Sequence, residues 1–426
     1  MAPGKKDRDP KPDRRGASVR AGTGSLPKAS SRAGSRALGE AARRPAGKPQ
    51  ETHAQGVQSP APYRLLPLET QTLYAELLEH LRGAEFARSF ADLSGGLTTR
   101  ERGGERYWYF RSSEGLGAAR EFYVGPDNEA TQQLLQTYRE GQGQAKGHTD
   151  RLSRLAAMLR SGGLTLTDPT SSKIINAFAN AGVFQLGGVL VGTHAFLALG
   201  NALGVKWTTA LQTQDVDFGA LATHRVGIGV RQTPLLMAHV PSAIDALKMG
   251  FLPSIRLHAS SKPTTYVVPG KDWRIDLVTS PRGKDREKAV PIPRLGAHAQ
   301  PLEFMDYLLE KTMEAALVGK SGILVAVPEP ARFALHKLLV AGNREPRFAT
   351  KAPKDRQQAF CILSFLAQER PGDIRLAGEE ALRRGPRWRQ LLREQAQLLP
   401  GKIAELEDLL RGTGAEAGLA FHHGPG

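Results

Sequence analysis

Three aspartates stand in patterns that could bring their carboxylates together. Asp215 and Asp217 lie two residues apart in a short apolar stretch, and Asp276 lies in a second alternating stretch, Trp273–Val278. Side chains at i and i+2 of a β-strand point to the same side. If the two stretches pair as neighbouring strands, the three carboxylates meet at one point. Such a set of oxygen donors suits Mg²⁺ or Mn²⁺ shared with substrate phosphates.

A glycine turn precedes the first aspartate pair. The apolar run Val189–Val191 ends at Gly192-Thr193, where a helical pattern begins. Gly192 permits a close approach of the backbone, and Thr193 offers a hydroxyl and an amide to phosphates at a helix N-terminus. Phosphates and a carboxylate-bound metal are the requirements of in-line displacement at an α-phosphorus. We therefore expect nucleotidyl transfer, with Asp215 and Asp217 bridging the metals and Asp276 serving the catalytic metal and deprotonating the attacking hydroxyl.

Each of these signals has a common structural explanation when taken alone. A single aspartate is more often a helix cap or a solvated surface group, because carboxylates are mostly exposed. Gly-Thr and Asp-x-Asp also occur often by chance. The order of strand, Gly-Thr, helix, Asp-x-Asp strand and later Asp strand is what favours an active site.

The elements that must position these residues alternate between helices and strands, which predicts an α/β (α+β) fold with a mixed sheet. The predicted helices cover 68–90, 129–160, 169–180, 193–203, 241–247, 301–317, 328–343 and, with breaks at Pro-Gly or Gly-Pro, 353–411. The predicted strands cover a hairpin within 104–125, then 188–192, 215–218, 254–258, 265–268, 273–278 and 323–327.

Composition divides the chain unevenly. Residues 1–60 contain no Phe, Trp or Tyr and carry thirteen Lys and Arg against five Asp and Glu, so half of the formal net charge of +16 lies there. We predict five regions: a disordered basic tail (1–60), a helical and β-hairpin module (61–164), a nucleotidyltransferase domain (165–295), a mainly helical domain (296–411) and a frayed tail (412–426). The tail either makes a weak contact with nucleic acid, or is a solvated extension or the product of a mis-set translation start.

Other classes of protein are disfavoured. The one cysteine, Cys361, excludes an internal disulfide framework and a cysteine-based zinc site. No apolar run approaches the length of a membrane helix, and the basic N-terminus lacks the apolar core of a secretory signal. We expect a soluble cytoplasmic protein.

The segment from Gly192 to Phe218, with Asp276 downstream, resembles the polymerase-beta-type nucleotidyltransferase superfamily. The 21 residues between Thr193 and Asp215 are typical of a bacterial branch related to the antitoxin-type transferases of abortive-infection systems. Further motifs of that branch extend over nearly all of 65–370: Tyr107-Trp108-Tyr109-Phe110, Trp273-Arg274-Ile275-Asp276, Val327-Pro328-Glu329-Pro330 with Ala331-Arg332-Phe333-Ala334-Leu335-His336-Lys337, and Lys354-Asp355-Arg356-Gln357-Gln358-Ala359.

The resemblance implies the nucleotidyltransferase fold, an NTP substrate and a toxin–antitoxin context. It also implies that Lys337 and Lys354 join Gly192 and Thr193 in binding the nucleotide, as point charges on its phosphates. The alternative for both lysines is a surface position. The acceptor, the base of the NTP and the oligomeric state stay open.

Two functions are compatible with these residues. The first is metal-dependent transfer of a nucleoside monophosphate to a hydroxyl of a protein, an RNA or a small molecule, with release of pyrophosphate. The second is an antitoxin-like or nucleic-acid-associated binding protein that keeps the fold without turnover. In that case the tail and the aromatic–basic hairpin at Arg106–Arg111 would carry the function, by stacking of aromatic rings on bases, unless the hairpin packs on the core.

Overall fold

The computed structural model describes residues 61–86, 95–112, 120–209, 213–222, 238–254, 262–283 and 287–419. The predicted basic tail 1–60 lies outside these residues, as does the strand predicted over 254–258 after Ser254. Within them, no helix is both long enough and apolar enough to cross a bilayer.

Helices and strands alternate along the described residues as the sequence predicts. The helices are α1 (Leu68–Phe86), α2 (Glu129–Ser161), α3 (Pro169–Asn180), α4 (Gly192–Ala202), α5 (Val240–Ala246), α6 (Met305–Glu310), α7 (Pro330–Gly342), α8 (Ala352–Glu369), α9 (Pro371–Leu382), α10 (Pro386–Gln397) and α11 (Ala404–Leu419). The strands are β1 (Tyr63–Leu65), β2 (Gly95–Arg102), β3 (Glu105–Ser112), β4 (Arg120–Pro126), β5 (Gly188–Val191), β6 (Val205–Trp207), β7 (Asp215–Ala220), β8 (Leu252–Pro253), β9 (Thr265–Val267), β10 (Arg274–Thr279), β11 (Val290–Ile292), β12 (Ala297–Pro301), β13 (Thr312–Val318) and β14 (Gly322–Pro328).

The central sheet is mixed, which confirms the predicted fold class. Its strand order is β11-β12-β10-β7-β5, and β9 pairs with β10 and β8. Strand β10 runs parallel to β7 and to β12, whereas β5 runs antiparallel to β7. The strands β5, β7 and β10 bury most of their residues, as expected for strands covered by helices on both faces.

Helix α3 begins where its cap residues predict. The side chain of Asp168 accepts hydrogen bonds from the backbone amides of Thr170 and Ser171, and Pro169 occupies the first helical position. This arrangement satisfies amides that the first turn leaves unpaired, and proline has no amide to satisfy there. Helix α3 then buries Ile174, Ile175 and Phe178.

The helix predicted over 301–317 is wrong. This region contains the end of β12, the short helix α6 and the strand β13, which pairs antiparallel with β14 from Thr312↔Pro328 to Val318↔Gly322. The apolar run Ala315–Val318 is buried throughout. A short apolar run has no periodicity that separates a buried strand from a buried helix, and pairing with β14 decides the outcome.

The predicted hairpin is a three-stranded antiparallel sheet of β2, β3 and β4. Phe110 is buried against Tyr138 of α2. On the opposite face the rings of Tyr107 and Tyr109 both contact Tyr123, at centroid distances of 6.2 and 5.6 Å. One face therefore packs on the protein, and the other keeps its aromatic residues near solvent.

Helices α7 to α11 form a helical layer whose core is continuous with that of the sheet. Its centre includes a buried cation: Arg332 donates to the backbone oxygen of Tyr307 at 2.7 Å and to Glu310 at 3.0 Å, and it also pairs with Glu380. These contacts compensate the loss of hydration, as a buried charge requires. Helix α6, which carries Tyr307, is thereby tied to α7 and α9.

Candidate active site

The parallel register of β7 and β10 brings the three predicted carboxylates to one end of the sheet. Asp217 is the register partner of Asp276, and Asp215 is the partner of Arg274. All three aspartates are only partly exposed. Strand β5 completes the arrangement on the other side of β7, because its last residue, Val191, pairs with Asp217.

Gly192 is required where it stands. Its φ is 67°, in the left-handed region that glycine adopts without strain. A Cβ atom at this position would collide with the carboxylate of Asp217, whose Cγ would be 3.1 Å away. The absence of a side chain therefore lets the start of α4 lie directly against the aspartate pair.

The N-terminus of α4 is suited to an anion. Within the described residues no side chain caps it, so its first amides lack that usual partner. Thr193 is buried, and its hydroxyl oxygen accepts from Nε2 of Gln358 at 3.5 Å. The two residues predicted to bind phosphates thus lie at a helix N-terminus beside the aspartates.

Burial and the proximity of like charges perturb the pKa of Asp217. Burial, followed by the charges of Asp276 and Asp215, raises the pKa of Asp217 to about 7. The lysines Lys337 and Lys351 act in the opposite direction but do not cancel these effects. A nearby cation would favour the ionised form of Asp217.

Asp276 is held by two neighbours. Its Oδ1 accepts from the hydroxyl of Thr265 on β9 at 2.6 Å, and its Oδ2 accepts from Nε of Arg274 at 2.6 Å. Through this contact Asp276 raises the pKa of the Arg274 guanidinium. In this conformation both oxygens are engaged, and across the described ranges no three His, Cys, Asp or Glu side chains are spaced to hold a metal ion together.

Cationic side chains of the helical layer lie near the carboxylates of Asp215 and Asp217. Lys337 on α7 lies 3.0 Å from Oδ1 of Asp355, and Nε of Arg344 lies 2.7 Å from Oδ2 of the same buried residue. Burial would raise the pKa of Asp355, but these two cations outweigh it and hold that pKa below its usual range. Burial, followed by Lys337, lowers the pKa of Lys354, and the charge of Asp215 opposes this effect.

The predicted nucleotide-binding lysines are therefore near the aspartates, but not equivalent. Lys337 is paired with Asp355, whereas Lys354 lines an open cleft next to Asp215. Sequence reasoning missed Arg274, Thr265 and Lys351. The i, i+2 spacing of Arg274 and Asp276 was a usable signal, since it places both on one face of a strand. Thr265 had no such signal, because its position depends on the pairing of β9 with β10.

The cleft next to Asp215 has a volume of about 1440 Å³. It is lined by the end of α2, the start of α3, the β13–β14 turn and the residues that lead into β7, β10 and α8. Its lining includes the cations Arg160, Lys173, Lys320 and Lys354, the carboxylates Asp168, Asp215 and Asp272, and the rings of His194 and Trp273.

These features agree with what comparison of the sequence finds. The model of a nucleotidyltransferase family matches residues 170–383, half of the chain, and the protein belongs to that family. The matched range begins in α3 and ends just beyond α9. It includes β7 and β10, which carry the three aspartates, and the lysines Lys337, Lys351 and Lys354. No curated protein and no solved structure gives a significant match.

Proposed function

We propose that this nucleotidyltransferase moves a nucleoside monophosphate from an NTP to a hydroxyl group of an acceptor and releases pyrophosphate, in a reaction that depends on Mg²⁺ or Mn²⁺. The observation that carries the proposal is the parallel register of β7 and β10. In this register Asp276 lies beside Asp217, which follows Asp215 by two residues on β7. The raised pKa of Asp217 supports a cation at this point, because burial and the like charges of Asp276 and Asp215 disfavour its ionised form.

The donor set fits a hard divalent cation in chemistry and in charge. Asp215 and Asp217 would hold it through carboxylate oxygens, and Asp276 would join them once Arg274 releases its Oδ2. When bound, the metal would stabilise negative charge on the attacking and leaving oxygens.

The remaining residues have roles that follow from their positions. Gly192, Thr193 and the first amides of α4 would hold phosphate oxygens next to Asp217. Lys337, Lys351 and Lys354 would add positive charge where the triphosphate gathers negative charge. Asp276 would take the proton of the acceptor hydroxyl.

The sequence motifs support a place in the polymerase-beta-type superfamily, in the branch related to abortive-infection antitoxin-type transferases. That relation would put a toxin gene next to this one. The order Gly192-Thr193, Asp215, Asp217 and Asp276, realised on β5, α4, β7 and β10, supports the superfamily assignment.

The experiment is a transfer assay with each α-labelled NTP, Mg²⁺ or Mn²⁺, and cell lysate as the source of acceptor. We expect label in protein, RNA or a small molecule from the native protein and none from Asp215→Asn or Asp217→Asn. Asp408→Asn is the matched control, because Asp408 is 71% exposed and pairs only with Arg411 on its own helix among the described residues. Magnesium-dependent NTP binding without transfer to any acceptor would favour the binding protein instead.

A further inference from the structure

The cleft next to Asp215 contains cations beyond those assigned to the triphosphate. Of the residues assigned above to the phosphates, Lys354 lines it, whereas Gly192, Thr193, Lys337 and Lys351 do not. Arg160, Lys173 and Lys320 also line it, and they come from α2, α3 and the β13–β14 turn. The base and ribose of an NTP carry no charge, so these three cations are available to a second anion.

The cleft cations have no carboxylate partner among the described residues. Lys173 donates to the backbone oxygen of Leu247 at 3.0 Å, and Arg160 and Lys320 are exposed. Two of the three carboxylates in the lining have other roles: Asp168 caps α3, and Asp215 belongs to the candidate metal site. Cations that the protein leaves unpaired in a concave site are available to a ligand.

A buried polar ring at the same cleft supports a ligand. His194, the third residue of α4, is 2% exposed, and neither of its ring nitrogens has a hydrogen-bond partner among the described residues. It lines the cleft together with Asp215 and Lys354. A buried polar group without a partner is costly, and a ligand that exchanges hydrogen bonds with the imidazole would remove that cost.

The size of the cleft is also more than one small molecule needs. Its volume of about 1440 Å³ exceeds the roughly 300–1,000 Å³ of a pocket for one drug-sized ligand. Trp273, whose ring is partly exposed, offers a flat apolar surface on the wall near Asp215. Flat rings of this kind stack on nucleobases.

We propose that this cleft binds the acceptor, and that the acceptor is a phosphate-bearing nucleotide, either free or at the end of an RNA strand. Arg160, Lys173 and Lys320 bind its phosphates, Trp273 stacks on its base, and His194 exchanges a hydrogen bond with its reactive hydroxyl. This inference rests on the proposed transfer reaction, whose second substrate it names.

The transfer step is balanced. The acceptor hydroxyl oxygen forms a bond to the α-phosphorus of the NTP, and the bond from that phosphorus to the oxygen bridging to the β-phosphorus breaks. Pyrophosphate leaves with the electron pair of the broken bond, and the hydroxyl proton passes to Asp276. The cleft residues orient the acceptor and take no part in bond formation.

The first test measures binding of two labelled probes without NTP or metal: a single-stranded RNA oligonucleotide with a free 3′-hydroxyl, and a nucleoside monophosphate. We compare the native protein with the double variant Arg160→Ala/Lys320→Ala, and with Lys206→Ala/Arg375→Ala as a control that removes two exposed cations outside the cleft. We expect at least tenfold weaker binding by the cleft variant alone. For RNA, the slope of log K against log salt should fall by about 1.4, because each lost phosphate contact contributes about 0.7.

The pattern of binding identifies the acceptor and can overturn the proposal. Binding of RNA only identifies a strand end, and binding of the monophosphate identifies a free nucleotide. The proposal is overturned if neither probe binds, if the cleft variant binds as tightly as the control, or if only proteins become labelled in the transfer assay. A parallel loss of magnesium–NTP affinity would also overturn it, because the cleft would then belong to the NTP. Failure of NTP binding in the native protein would instead count against the proposed function, since the probes are tested without NTP.

The second test concerns His194. Replacing it by Leu removes the two unpartnered nitrogens, so we expect an unchanged or higher melting temperature together with at least tenfold higher KM for the acceptor and an unchanged KM for the NTP. His194→Gln, which can donate and accept, should restore part of the acceptor affinity. A purely structural role predicts a lower melting temperature and equal effects on both KM values.

Discussion

Asp217 should oppose folding in the absence of a metal. Its pKa rises from 3.8 to about 7 in the folded protein, chiefly through burial and then through Asp276 and Asp215. A tenfold change in proton affinity is worth about 1.4 kcal/mol, so ionised Asp217 lowers the free energy of unfolding by about 4 kcal/mol. Because the folded pKa is raised, this penalty is absent below pH 4, grows as the pH rises towards 7 and is constant above it.

The substitution Asp217→Asn removes the charge and keeps the shape. At pH 8 we expect it to raise the free energy of unfolding by up to about 4 kcal/mol and the melting temperature by several degrees. Near pH 4 the native protein and the variant should be equally stable. Asp408→Asn, at an exposed position, should change neither value.

Divalent metal should narrow this difference. Mg²⁺ at a hundredfold excess over its Kd stabilises a protein by about 2.7 kcal/mol, and only the native protein keeps the full carboxylate set. Thermal unfolding monitored by circular dichroism from pH 4 to 9, with and without Mg²⁺, tests all these points. A variant that is less stable than the native protein at pH 8 without metal would refute the electrostatic reasoning.

Three further predictions concern neighbours of Asp217. Gly192→Ala should weaken binding of magnesium–NTP at least tenfold in calorimetry, because its Cβ would displace the carboxylate of Asp217; unchanged affinity would show that the close approach is unimportant. Arg274→Gln should lower the Mg²⁺ concentration at half-maximal stabilisation, since Oδ2 of Asp276 loses its cationic partner, and an increase would contradict this. Asp355→Ala should reduce the free energy of unfolding by about 3–5 kcal/mol, as it leaves Lys337 and Arg344 without their shared carboxylate. Those cations lower the folded pKa of Asp355 against the effect of burial, so this contribution is fully present above the unfolded pKa and is lost as the pH falls through the lower folded pKa. Urea unfolding should therefore show a smaller difference at pH 3 than at pH 7.

The features of the site that depend on residues close together in sequence could be predicted. Strand alternation placed Asp215 and Asp217 on one face, and the Gly-Thr turn located the start of α4. Asp168 and Pro169 fixed the beginning of α3, because capping depends on residues within one turn.

The rest depended on contacts between residues far apart in sequence. The strand β13 takes its conformation from pairing with β14, so its apolar run was mistaken for a helix. Thr265 reaches Asp276 only because β9 pairs with β10, and His194 lines a cleft together with Arg160 of α2. Periodicity in the sequence carries no record of such neighbours.

The most direct test of the central claim is transfer from α-labelled and γ-labelled NTP, measured in parallel on the native protein and on Asp215→Asn, with Asp408→Asn as the control. We predict that the native protein and the control transfer the α-label to the acceptor with Mg²⁺ and never the γ-label, and that Asp215→Asn transfers neither. Transfer of the γ-label, or undiminished α-label transfer by Asp215→Asn, would contradict a nucleotidyl-transfer site built on these carboxylates.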